Sequence, residues 1–241
     1  MNAMTSSSAA ASSGPTPPRT RRVVDAPTRV FHWLFALSFV GAYLTADGEG
    51  WRMLHVTLGY TLAGLLAFRV VYGLVGPRQA RLSLLWRKLA GLPQWLASVA
   101  SLQAVDGRQA QNLAMALAVV GLLVLALPLT LSGYATYSEW GDWLGEVHEF
   151  FGNAFLALVL GHLAVMVVLS VLRRKNVARN MLTGRVEGPG PDLAQRNHGL
   201  LAALLVAAVL AFWAWQWQQS PNGLVSGQSW SATSSEEDGD D

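Results

Sequence analysis

Residues Val147 to Leu172, VHEFFGNAFLALVLGHLAVMVVLSVL, form one long apolar stretch that carries two histidines, His148 and His162. About 20 apolar residues in a helix suffice to cross a bilayer, so this stretch predicts a membrane span. Ionisable side chains inside a span are costly to bury and mark it as functional. The two histidines are 14 residues apart. At 3.6 residues per turn this is about four turns, which puts both imidazoles on one face at depths about 21 Å apart. One helix thus offers an imidazole near each side of the membrane, and other helices must supply the groups opposite.

The remaining chain is of the same kind. With 52% hydrophobic and 13% charged residues it reads as an all-α integral membrane protein. The sequence predicts four further spans: Pro27 to Thr45 with His32, Arg52 to Val75 with His55 and Arg69, Asn112 to Tyr134 with Pro128 inside it, and Gly199 to Trp217, which ends in an aromatic belt of Phe212, Trp213, Trp215 and Trp217. Asp25 is placed to cap the first helix, with Pro27 in its first turn. The domain reading is a disordered tail over 1–22, a four-helix transmembrane domain over 23–186, a linker over 187–198, a fifth transmembrane helix over 199–218 and an acidic tail over 219–241. Within the domain, residues 77–111 are too long for a turn. Leu85, Leu89, Leu92, Leu96 and Val99 recur at spacings of four and three, predicting short amphipathic surface helices broken near Pro93.

The basic residues fix an expected orientation. Arg19, Arg21, Arg22, Arg29, Arg78, Arg81, Arg87, Lys88, Arg108, Arg173, Arg174, Lys175, Arg179, Arg185 and Arg196 all fall on one side, which the positive-inside rule makes cytoplasmic. The other side holds Asp47, Glu49, Glu139, Asp142 and Glu146 with the single cation Arg52. The expected topology is a multi-pass protein of a bacterial inner membrane, N-terminus cytoplasmic and C-terminus periplasmic. The net charge of +2 therefore marks a membrane face and points to lipid, not to nucleic acid.

Topology sorts four histidines by depth, His55 with His148 near the outside and His32 with His162 near the inside. Opposed imidazoles from different helices at two depths suit two haems held edge on in a bundle, each iron taking one imidazole from each face. The absence of cysteine from the sequence means that such haems b are bound non-covalently. Bis-histidine ligation leaves no open position and points to electron transfer. Arg29 and Arg52 each precede a histidine by three residues, on the same helix face and a turn nearer water, where a guanidinium suits a haem propionate. Arg69, 14 residues after His55, is level with the inner pair and needs an anionic partner, the inner propionate being the first candidate. The plainer readings are interfacial anchoring for Arg29 and Arg52 and snorkelling for Arg69. His198 reads as a surface histidine. Gly59, Gly152 and Gly161, each beside a ligand position, make room for a flat macrocycle or for close helix packing. Tyr60, Tyr134 and Tyr137 fall near the outer pair.

These residues resemble a known family. RVFHWLFALSFVGAYLT, WRMLHVTLGYTLAGLLAFRVVYGLVG, VHEFFGNAFLALVLGHLAVM and NVARNMLTGR are similar to the bacterial cytochrome b561 family and the related b-type cytochrome subunits of nickel–iron hydrogenases, over about Val23 to Val186. The resemblance implies a four-helix core with two b-type haems on His32, His55, His148 and His162. It also implies electron transfer between the quinone pool and a redox partner in a respiratory chain, the partner being a dehydrogenase, a hydrogenase or a soluble cytochrome c. The fifth span and both tails depart from the family core, and AQNL at Ala110 to Leu113 stands where many relatives carry Gly-His-Asn-Pro. Some members oxidise superoxide and reduce quinone, but the acidic outer loops here would repel that anion. The rival of another class is a haem-free transporter or scaffold. Two imidazoles per depth fall short of a structural zinc site, and paired broken helices are lacking.

Overall fold

In a computed structural model of the chain, which describes residues 20–94, 97 and 107–220, the first helix starts where the sequence predicts. Helix α1 (Ala26–Leu44) is capped by Asp25, whose Oδ1 accepts from the Thr28 amide at 3.2 Å, and Pro27 occupies the first turn where its missing donor costs nothing. A tight turn leads to α2 (Arg52–Val75), and the amphipathic α3 (Leu82–Leu89) follows. The long α4 (Gly107–Tyr137) absorbs Pro128 without ending, and α5 (Leu144–Arg173), the short α6 (Arg179–Thr183) and α7 (Gly199–Gln219) complete the helices.

Four helical segments are long and apolar enough to cross a membrane: α2, the Asn112–Tyr137 part of α4, α5 and α7. Of the five predicted spans, α1 (19 residues) is long enough but not apolar enough to reach that mark, with Pro27, Arg29 and His32 in its first half.

The fold departs from the all-helical expectation at one place. Thr20–Arg22, assigned from the sequence to a disordered tail, form strand β1, antiparallel to β2 (Arg185–Glu187), with Arg21 opposite Val186. The segment after α5 thereby returns to the start of α1. Gly184 makes the return possible: its φ of 72° is a conformation that side chains disfavour, its carbonyl accepts from Val23 and Val24, and an added Cβ would lie 2.6 Å from the Val24 carbonyl oxygen. The loop expectation holds in part. Helix α3 exposes Trp86, Arg87 and Lys88 and half-buries Leu85 and Leu89. The break falls at Ala90 and Gly91, with Pro93 in the helical residues that follow, and Leu96 and Val99 lie outside the described residues. Residues 1–19 and the acidic tail from 221 also lie outside them.

Packing follows heptads. On α5, Phe155 stands seven residues from His148 and seven from His162; on α1, Phe39 follows His32 by seven; on α2, Leu62 follows His55 by seven. Seven residues make about two turns, or roughly 10 Å, so these three form a layer midway between the histidine depths. They share one buried cluster with Leu66, Ala126 and Leu129, and the Phe39 and Phe155 rings lie 4.5 Å apart. Helix α1 packs on α2, α4 on α5 and α2 on α4. Helix α5 reaches α1 through side chains, Phe155 against Phe35 and Asn153 beside the Tyr43 hydroxyl. Helix α7 lies along α1 and α2, with Val209 against Phe31 and Leu65 and the Trp213 indole donating to Thr61 Oγ1 at 2.9 Å.

A buried polar tie joins the start of α1 to the end of α2. The Tyr72 hydroxyl donates to Asp25 Oδ2 at 2.6 Å, and Asp25 is 1% exposed. Asp25→Ala removes both the cap and the acceptor of a buried hydroxyl, and is expected to lower stability by about 2 kcal/mol. Thermal loss of helical circular dichroism in detergent measures it; an unchanged midpoint would contradict this account. Phe155→Ala is expected to cost more, about 3–5 kcal/mol, by the same assay.

Candidate metal centre

An imidazole inside an apolar bundle needs an acceptor for its ring N–H, and the bundle provides two for one histidine pair. His55, in the first turn of α2, sets its Nδ1 2.8 Å from the Ala42 carbonyl near the end of α1. His148, in the second turn of α5, sets its Nδ1 3.1 Å from the Leu129 carbonyl of α4, with Ser132 Oγ at 3.4 Å. Each carbonyl thereby fixes the tautomer and leaves Nε2 for another partner. The two rings face each other with centres 5.9 Å apart and planes crossed at 88°. With metal–imidazole bonds of about 2.0–2.1 Å, two ligands on opposite sides of one metal have ring centres roughly 6 Å apart.

His32 on α1 and His162 on α5 lie near enough for the charge of one to act on the other. The Nδ1 atoms of both are buried and meet no hydrogen-bond partner. Among the described residues no group of three or more His, Cys, Asp or Glu side chains comes together to hold a bare ion. Two opposed imidazoles suit a metal that arrives with its equatorial ligands, as in a haem.

The small residues divide by role. Beside Gly59 and Gly161 an added Cβ would meet nothing within 4 Å, so each leaves open space next to a histidine. Gly152 is nearly as open, with Leu129 Cδ1 at 4.0 Å. Gly133, which the sequence reading missed, acts directly: an added Cβ would lie 2.8 Å from His148 Cε1. Tyr60 stands by Tyr134 and Tyr137 with ring centres 6.4 Å apart in both cases.

The three arginines fare differently. Arg29 is a turn from His32; its Nη1 donates to the Leu182 carbonyl at 2.9 Å and its Nε is buried without a partner. Arg52 is exposed at the first residue of α2. Arg69 is buried, 8% exposed, donates through Nη1 to the Ala80 carbonyl at 3.0 Å and is attracted by Asp25. Asp25, a carboxylate that the sequence reading did not consider here, thus contributes favourable charge to this buried arginine. His198 caps α7 in a left-handed conformation, φ 49°, with its carbonyl accepting from Ala202.

In comparison with known proteins, the family model described as prokaryotic cytochrome b561 matches residues 23–184, more than half of the chain. No curated protein and no solved structure matches it.

Gly133→Ala is expected to push the His148 ring off the Leu129 carbonyl and so weaken cofactor retention at the His55–His148 pair, leaving helical content intact. Circular dichroism alongside haem content of the purified variant measures this, and full retention of haem would show that the close approach at Gly133 is not needed.

Proposed function

Because the chain belongs to the prokaryotic cytochrome b561 family of electron-transferring b-type membrane cytochromes, we propose that it is a dihaem cytochrome, one haem b on His55 and His148 and the other on His32 and His162. The observation that carries the reading is the opposed His55 and His148 rings, 5.9 Å apart and crossed at 88°, each with its Nδ1 at a backbone carbonyl. A haem held by two such histidines would supply a one-electron ferric/ferrous couple.

The chain's own residues do the rest. Ala42 and Leu129 carbonyls orient the ligands, and Phe39, Leu62 and Phe155 keep water from the layer between the two pairs. Arg29 and Arg52, each a turn nearer water than its histidine, pair with propionates at the membrane edges. Arg69 serves by position, fixing the 78–80 turn beside Asp25 and Tyr72.

In this reading α1 spans the membrane together with the four longer segments, since His32 must reach the depth of His162. The basic loops lie on the cytoplasmic side of a bacterial inner membrane, the N-terminus inside and the C-terminus in the periplasm. Electrons pass between the quinone pool and a redox protein, with lipid covering the exposed apolar faces.

A pyridine haemochrome assay on the detergent-purified protein is expected to give two haems b per chain, falling to one in His148→Ala and one in His162→Ala. A colourless protein after haem supplementation would refute the reading.

A further inference from the structure

The two histidine pairs differ in how their rings are held. In the His55–His148 pair both Nδ1 atoms meet backbone carbonyls, Ala42 at 2.8 Å and Leu129 at 3.1 Å, and Ser132 Oγ adds a second neighbour to His148 at 3.4 Å. In the His32–His162 pair both Nδ1 atoms are buried with no partner. A ligating imidazole that donates its second N–H to an acceptor is the more basic ligand, and a more basic ligand favours the oxidised, more highly charged metal.

Fixed charge runs the same way. Arg29 lies a turn from His32 on α1, and the buried Arg69 of α2 stands at the same end of the bundle, beside Asp25 at the cap of α1, which offsets part of its charge. Glu146 and Glu149 flank His148 on α5, Glu139 and Asp142 precede α5 and Asp47 precedes α2, all exposed, with the single cation Arg52 three residues before His55. Cations nearby favour the reduced metal and anions the oxidised one, more strongly where the dielectric is low.

On the dihaem reading proposed above, we infer that the His55–His148 centre has the lower reduction potential, set by the Ala42 and Leu129 carbonyls with Ser132 as a positioning residue, so that electrons run from it to the His32–His162 centre. In that step one electron leaves ferrous iron at His55–His148, which becomes ferric, and reduces ferric iron at His32–His162. No covalent bond is made or broken and no proton is transferred. With the basic loops cytoplasmic, the chain takes electrons from a one-electron donor at the periplasmic face and delivers them to an acceptor toward the cytoplasm.

The test is an equilibrium potentiometric titration of haem absorbance on the purified holoprotein, repeated on His148→Ala, His162→Ala and Ser132→Ala. Two one-electron components are expected. His148→Ala abolishes the lower and His162→Ala the upper, while Ser132→Ala shifts the lower and leaves the upper in place, with Ser132→Thr restoring it. Reversed assignment, or two coincident components, overturns the inference and leaves the dihaem reading standing. Should both histidine variants lose all haem, Ser132→Ala decides: movement of the upper component, or of neither, overturns it. A wild type that holds one haem or none is detected by the haem count before any titration and removes the underlying reading as well.

Discussion

Burying an imidazole in a bundle of apolar helices costs least where its N–H finds an acceptor, and for His55 and His148 that acceptor is a backbone carbonyl of the neighbouring helix. Ala42 lies three residues from the cap of α1, where the last carbonyls lack intrahelical donors, and it accepts from Thr45 as well as facing His55. Leu129 immediately follows Pro128; its carbonyl meets the Ser132 hydroxyl as well as His148. A carbonyl near one helix end and a carbonyl inside another helix thus hold one pair of rings. The surrounding packing is arranged so that this layer, the aromatic layer below it and the second histidine layer share a heptad register.

The register explains how a simple bundle keeps two histidine depths apart yet connected. His148, Phe155 and His162 project from one face of α5, so any shift of that helix moves both histidines together. Close packing of Phe155 on Phe39 resists such a shift. At the far end, Asp25 does two tasks with one carboxylate, capping α1 through Thr28 and accepting from Tyr72 of α2. The return of the chain through β2 to β1 braces the same end, beside the helix turn that carries Arg29 and His32.

Much of this was legible in the sequence because periodicity reports on helix faces. The 14-residue spacing of His148 and His162 gave a shared face and two depths, and the helix limits of α2 coincide with those read from hydropathy. The Asp25 cap followed from residue type and the proline after it. What was hidden depends on contacts that residue identity does not encode. Carbonyl acceptors are the same atom in every residue, so Ala42 and Leu129 carry no signature. Gly133 looked like any glycine of a span until His148 was seen against it. Arg69 was read as needing an anion, but Asp25, whose charge acts on it, is 44 residues away in sequence and already assigned as a cap. Three-residue strands rich in arginine have no period to detect, which left β1 and β2 unforeseen.

The account stands on two histidines facing one iron from opposite sides with crossed planes, and electron paramagnetic resonance of the air-oxidised protein tests that directly. Crossed imidazoles leave the iron orbitals nearly degenerate, so a strongly anisotropic low-spin ferric signal is predicted for the His55–His148 centre, lost in His148→Ala. A high-spin ferric signal as the main species of the intact protein would mean an open axial position and would contradict the account.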